Sequence, residues 1–586
     1  MTPTPTRLAA ATTIVLALGS PVLAQDATGT ADDAERETLT AAQSDPDTLG
    51  WMQGFPPPDD RTIRFTDPDY FAFPKLRWTA CHFRELMPTT VVTRGTGAAR
   101  MLERDIDDGL NALEFTPTGT DTPMSWADAF DANYSDGVVV LHRGRIVYER
   151  YGGCLDENTL HGAMSVTKSL TGLLGETLVA EGALDETAPI GSLIPELEGS
   201  AFGDATVRQV LDMTTSLDYS EDYSDPDADV WIYAEAGSPL PKPDGYDGPN
   251  SYFAFLQTVK PLSGTEHGQA FGYKTVNADA LGWLVARTTG MSVADALAER
   301  VWAPIGAERE AFYTVDSIGT PFAGGGFNAV LRDMARLGQL MLDEGMVDGQ
   351  QVIPAAAIER IRDGGDQDAF ALSDHPGLPG WSYRGMWWNT EDDHGAYAAR
   401  GVHGQTVYID PAADMVIARF ASHPVAANAG NDATSLPAYR AVAEHLMAKA
   451  EATDEASSEA DDPADPAGQV GLLDGEWTVE DIGNRGVIDT AVASLSFAAD
   501  GRLSGSGTCN RLLGSWSRDV DGSPSQDTLS IDKVGVTMMA CPPALMDQER
   551  KLLDALGQVA RFRIGETGAL LLLGSDDAPL VTARIR

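Results

Sequence analysis

Residues 450–469 contain no large apolar side chain. The run is mainly Ala, Asp, Glu and Ser, and it ends on two Asp-Pro steps, Asp462-Pro463 and Asp465-Pro466. A stretch of this kind has nothing to bury, so 449–469 reads as a solvated acidic linker. It divides the 586-residue chain into a long first unit and a short second one, and each must build its own core.

The first unit, 51–448, opens with a hairpin signal. Val138-Val139-Val140-Leu141 and Ile146-Val147-Tyr148 flank Arg143-Gly144. From Ser165 onward Leu170, Leu173, Leu174 and Leu178 recur at helical spacing, and the pattern stops at Gly182. Further helices are expected at 207–213, 277–289, 293–301, 331–344, 354–362 and 436–449. Strands are expected at 406–409 and 415–418. Strands at both ends with helices between predict one α+β domain, whose N- and C-terminal parts share a sheet. The second unit, 470–586, alternates apolar and polar residues in short runs broken by Gly and Asp. It is expected to be small and β-rich, with one helix at about 543–556.

Residues 1–24 read as a secretory signal peptide. Arg7 precedes the apolar run Leu8 to Leu18, followed by Pro21 and the small-residue exit Val22-Leu23-Ala24. The protein is therefore expected in a periplasm or outside the cell. Residues 25–50 lack periodicity and are expected to be a disordered linker. The segment from Trp51 to about Thr90 is dense in aromatics and Pro and is expected to wrap onto the domain that follows. No internal run is long enough to span a bilayer.

Lys plus Arg number 41 against 87 Asp plus Glu, a net charge of −46. Nucleic acids and anionic membranes ask for basic patches, so neither is an expected partner. Four cysteines, Cys81, Cys154, Cys509 and Cys541, are too few for a disulfide scaffold. No Cys-x-x-Cys or His-Glu-x-x-His spacing occurs, so no metal site is readable.

Exported hydrolases often use serine, and the chain has no Gly-x-Ser-x-Gly elbow. Ser-x-x-Lys occurs twice. In Ser530-Ile531-Asp532-Lys533 the run is strand-like, and residues three apart point to opposite faces. Ser165-Val166-Thr167-Lys168 opens a helix, where residues three apart share a face, so Lys168 can reach the Ser165 hydroxyl. Free N–H groups at the helix start suit a developing oxyanion. A plain N-cap with a solvated lysine fits the same spacing.

Three further stretches break that tie. They are Phe271-Gly272-Tyr273-Lys274-Thr275-Val276-Asn277, Gly324-Gly325-Gly326-Phe327-Asn328 and Gly401-Val402-His403-Gly404-Gln405. With them, residues 51–448 resemble the β-lactamase-related serine hydrolases, a family with the β-lactamase/DD-peptidase fold. The match is strongest with the 6-aminohexanoate-dimer hydrolase and family VIII esterase branch. The leader, with Arg77-Trp78 and Phe83-Arg84-Glu85-Leu86, is similar to that branch's N-terminal segment.

The resemblance implies Ser165 as nucleophile, Lys168 as its activating partner and Tyr273 as the proton shuttle to the leaving group. Whether Lys168 or Tyr273 is the base stays open. The family's Lys-Thr-Gly motif is matched to Val402-His403-Gly404, a departure that fits esters and linear amides better than β-lactams. Backbone N–H groups of Ser165 and Gln405 are then expected to form the oxyanion hole. Tyr223, His403 and Asn328 are expected on the substrate side. No cofactor is implied. The rival readings are a silent envelope-binding protein on the same fold and a true β-lactamase or peptidase.

The second unit resembles the META domain, related to heat-shock lipoprotein-like modules. It does so through Leu473-Asp474-Gly475-Glu476-Trp477, Gly507-Thr508-Cys509-Asn510-Arg511 and Thr537-Met538-Met539-Ala540-Cys541-Pro542. Cys509 and Cys541 both sit in those motifs and are expected to pair. No catalytic set is visible there, so binding or localisation is the expected role, with no partner identified.

Overall fold

In the computed structural model the described residues are 38–222, 225, 227–242, 244–373, 375–459, 475–483, 485–488, 493–498, 501–508, 510–519, 528–536, 542–565 and 569–585. The expected signal peptide, Tyr223, and the expected Cys509–Cys541 pair lie outside them. The chain forms two compact units, Met1–Ala450 and Glu451–Arg586.

The first unit is organised by a seven-stranded antiparallel sheet. Its strands are β1 (Ser135–His142), β2 (Arg145–Tyr151), β3 (Ser382–Arg384), β4 (Trp387–Asn389), β5 (Tyr397–Gly401), β6 (Gln405–Asp410) and β7 (Met415–Ala421). The spatial order is β3-β4-β5-β6-β7-β1-β2, so the two ends of the domain meet at the β7–β1 pair. There Val139 faces Ala418 and Leu141 faces Val416. The β1–β2 turn puts both Arg143 and Gly144 at positive φ, 49° and 73°, the backbone that matches strand twist in a two-residue hairpin.

Both faces of this sheet are covered, which is why β1 is a continuous apolar run rather than an alternating one. Val139 and Leu141 pack with helix α1 (Val166–Ala180) through Leu170, Leu173 and Leu174. Val138 and Val140 pack on the other face with Trp126 and with Tyr439, Val442 and Leu446. Those last three belong to the final helix of the unit. Two more helices on the α1 side matter below, α2 (Val276–Thr289) and α3 (Leu331–Leu342). Burying each Leu or Val side chain is worth about 1.5–3 kcal/mol.

Helix α1 is not the one-sided helix its leucine spacing suggests. Every residue from Val166 to Leu178 is buried, so it runs through the middle of the unit. Gly172 permits this: a Cβ there would lie 2.0 Å from the Gly385 carbonyl oxygen.

The final helix, α4 (Ala429–Glu459), also departs from expectation. It continues ten residues past its expected end, into the linker. Ala and Glu are strong helix formers, and a helix already docked through Leu446 extends at little cost. The expected disordered stretch is likewise structured from residue 38. Asp45 caps a short helix, Pro46–Leu49, and Tyr134 donates a hydrogen bond to the Leu39 carbonyl at 2.8 Å.

The aromatic leader packs on the domain as expected. Tyr70, Phe71 and Phe83 cluster with Met164, Phe312 and Val402. Gly162 N donates to the Ala80 carbonyl at 2.8 Å. Cys81 is disulfide-bonded to Cys154, and the Arg77 guanidinium lies 3.2 Å from buried Asp136.

The second unit is a closed barrel of eight strands, β8 to β15, beginning with Glu476–Ile482 and ending with Pro579–Ile585. Trp477 on the first strand faces both Leu495 and Ile585, which closes the ring. Trp477, Leu495, Leu512, Leu570 and Val581 fill its core with Leu552 and Leu556 of helix α5 (Pro543–Leu556).

Candidate active site

Ser165 sits at the start of α1, on a turn that its neighbours over-determine. Met164 takes a left-handed backbone at φ 47°, a conformation that costs a non-glycine residue about 1–3 kcal/mol. The Thr167 hydroxyl donates to the Met164 carbonyl, and Ala163 N donates to the Phe327 carbonyl at 2.8 Å. Ser165 makes no capping hydrogen bond with its side chain. Its oxygen instead accepts from Lys168 Nζ at 2.8 Å.

Lys168 is 1% exposed and also donates to the Gly324 carbonyl at 2.7 Å. One hydroxyl and one glycine-loop carbonyl thus fix the amine, inside a helix with no room around it. The loop that supplies Gly324 is tied to α1: the Thr171 hydroxyl donates to Ala323 O at 3.0 Å, and Phe327 N donates to Thr167 Oγ1 at 3.1 Å.

Tyr273 enters from the turn before α2. Lys168 Nζ stands 5.1 Å from its ring centroid, and Trp388 of β4 stacks on the ring at 5.5 Å. Tyr383 and His375 complete an aromatic wall. The turn is held by Thr275, whose backbone N–H and hydroxyl both donate to the Glu221 carboxylate. Ser165, Lys168 and Tyr273 are therefore brought together. Ser530 is elsewhere, on a strand of the barrel.

The third motif is placed differently from expectation. Gly401, at the end of β5, is the residue that closes on the serine. A Cβ there would lie 2.9 Å from Ser165 N and 2.8 Å from Ala163 O. A Cβ at Gly404 would meet Ala421 and Arg419 instead. Val402-His403-Gly404 is the turn that follows β5. Gln405 opposes Gly401 in the β5–β6 register, and its side chain is committed to the Val402 carbonyl and to both backbone groups of Ala421. The close approach of Gly401 to Ser165 N makes the adjoining N–H, that of Val402, a candidate second donor alongside the expected Gln405 N–H.

His403 does not line the site. It is 4% exposed, its ring meets the edge of Phe71 in the leader, and its Nδ1 is 2.7 Å from the His423 carbonyl. Burial pushes its pKa down to about 4, against the hydrogen bond to His423, so it stays neutral at ordinary pH. Asn328 is buried within the small sheet that includes Phe327–Ala329, and it donates to the Gly326 carbonyl at 2.9 Å. That is a structural bond rather than a substrate-facing position.

Among the described residues, the group of His, Cys, Asp or Glu compact enough for a metal ion is Cys81, Cys154 and His161, and the disulfide engages both its sulfurs. Two features of the site went unread in the sequence: the contact of Gly401 with Ser165, and the Gly324 carbonyl as anchor for Lys168.

The beta-lactamase family model matches residues 126–438, a span holding Ser165, Lys168, Tyr273 and Gly401. The chain belongs to the beta-lactamase family. It is a serine hydrolase of that family, and the META domain model matches residues 470–586. A 6-aminohexanoate-dimer hydrolase of Paenarthrobacter ureafaciens is 34% identical over 356 residues, covering 60% of this chain and 86% of that one. A solved Bacillus anthracis structure, put forward as a 6-aminohexanoate-dimer hydrolase, superposes with a TM-score of 0.59 at 31% identity. It covers 64% of this chain and 96% of that one. An uncharacterized protein of Mycobacterium tuberculosis is 24% identical over 46% of this chain and 79% of its own length.

Proposed function

We propose that this beta-lactamase-family hydrolase is exported and cleaves a carboxylic ester or a linear amide through an acyl-Ser165 intermediate. The observation that carries the reading is the 2.8 Å contact between Lys168 Nζ and Ser165 Oγ at the start of a buried helix. Ser165 Oγ attacks the substrate carbonyl carbon and passes its proton into the Lys168–Tyr273 pair. The tetrahedral oxygen is held by Ser165 N–H and by the N–H after Gly401, where N–H groups at a helix start already favour negative charge. Collapse breaks the bond to the leaving group, which takes the proton back. Water then repeats the cycle on the acyl-enzyme.

Linear amides belong in the substrate class because the 34% identical relative carries the name of a 6-aminohexanoate-dimer hydrolase. Export is supported by the Arg7 and Leu8–Leu18 pattern and by the Cys81–Cys154 disulfide, a bond that persists in oxidising compartments.

The test is a panel of p-nitrophenyl esters, linear amides including 6-aminohexanoate dimer, and β-lactams, run with fluorophosphonate labelling. Ser165→Ala is expected to lose both turnover and label. Lys168→Ala and Tyr273→Phe are each expected to lower kcat by about 10²–10⁴. Full turnover in Ser165→Ala would sink the reading, and β-lactams as the best substrates would move it to the lactamase side.

A further inference from the structure

A buried carboxylate stands behind the catalytic lysine with no part in the chemistry so far. Asp279 lies on α2 and is 2% exposed. One carboxylate oxygen, Oδ1, accepts from Ala323 N at 3.1 Å, and the other accepts from the Tyr233 hydroxyl. Ala323 is the residue before Gly324, whose carbonyl receives Lys168 Nζ at 2.7 Å. A path of contacts therefore runs from Tyr233 through Asp279 and the backbone of Ala323 and Gly324 to Lys168 and Ser165. Asp279 also lines a cavity of about 200 Å³ with Phe253, Ser292 and Thr320.

A carboxylate inside an apolar helix pair is costly unless its lone pairs and charge are used. Three donors or charges face this one: the Ala323 N–H, the Tyr233 hydroxyl from helix Asp229–Gly237, and the Lys168 ammonium from α1. Two acidic groups oppose it, Asp316 and the Tyr252 hydroxyl. A purely structural site could be filled by Asn at lower cost.

We propose that Asp279 is a positioning residue for Lys168: through the Ala323 N–H it pins the loop whose next residue, Gly324, holds the lysine amine with its carbonyl, and it supplies a buried negative charge facing the lysine. This rests on the Ser165–Lys168 reading above. Burial raises the Asp279 carboxyl while the Tyr233 hydroxyl, the Lys168 charge and the Ala323 N–H pull it down, and the balance lies at about 7, so the group is partly charged near neutrality.

The experiment compares wild type, Asp279→Asn and Tyr233→Phe on a p-nitrophenyl ester from pH 5 to 9, with melting temperature and the rate of fluorophosphonate labelling. Asn keeps the size and one acceptor for Ala323 N–H but removes the charge. Asp279→Asn is expected to lower kcat about tenfold to a hundredfold with KM nearly unchanged, the scale of a misplaced catalytic group. Its pH–rate profile should move to lower pH, the sign expected when a negative charge is taken from beside an ammonium group. Tyr233→Phe leaves the carboxylate in place but removes the hydroxyl that holds its pKa down, so it should move the profile in the same direction by less. A lowered melting temperature with unmoved kcat and profile would overturn the proposal and leave Asp279 a structural residue. No turnover and no labelling in wild type would instead bring down the hydrolase reading, and this inference with it.

Discussion

Side-chain depth separates what could be read at each position from what could not. The Ser165–Lys168 pair was readable because a three-residue helical spacing is local geometry, true wherever the helix ends up. Gly401 and Gly404 lie three residues apart, and only the packing of β5 against the serine turn decides which of them approaches Ser165. His403 looked like a pocket residue for the same reason: nothing in its neighbours reveals that the leader's Phe71 covers it. Its burial carries a pH consequence. The pKa is lowered from an ordinary 6.5 to about 4, so between those values the unfolded chain binds the proton and the folded one does not. Stability is then fully present above about 6.5 and is lost as the pH falls toward 4, by about 3 kcal/mol in order of magnitude. His403→Gln should be less stable at pH 7 yet show a flatter decline between pH 6.5 and 4, measured by urea midpoints. His423, also pushed down by burial, leaves a residual slope. An unchanged slope in the variant would assign the acid sensitivity elsewhere.

Elements were readable where their period is strong and less so where tertiary partners set the ends. The hairpin, α2 and α3 fall where apolar spacing puts them. The surrounded character of α1 did not show, because Gly172 and Thr171 carry no sign of the neighbours that press on them. The leader is the element with most to tell about the site. It is stapled across 73 positions by Cys81–Cys154, and its Phe83 packs beside Met164, the residue before the nucleophile. In the chain-entropy picture a loop of that length is worth about 4 kcal/mol. The double variant Cys81→Ser/Cys154→Ser should therefore lower the urea midpoint strongly and lower kcat as well, because the leader also covers Val402. Wild-type kcat in a variant shown to be destabilised would separate the staple from the site.

At the scale of the whole molecule, the division into two units was readable from a stretch with nothing to bury, while the closure of the second into a barrel was not. Alternating strands fit an open sheet as well as a ring, and the Trp477–Ile585 pairing is set by residues more than a hundred positions apart. A chain ending at Ala450 is expected to keep most of its activity on a small soluble ester, since Ser165, Lys168, Tyr273 and Gly401 all lie in the first unit. A folded but inactive truncation would tie the META unit to catalysis. The β7–β1 pair brings a different consequence, one of timing. Val139 meets Ala418, so the central seam of the catalytic sheet waits for about 280 further residues after its first strand has been made. A ribosome delivers this enzyme from one end, and the hairpin finds Trp126 and α1 for its two faces early, but the β1 edge that pairs with β7 stays open until nearly the whole catalytic unit has arrived. Any factor that shelters nascent chains has that interval in which to act, and substitutions that make β1 less apolar should trade final stability for a safer passage.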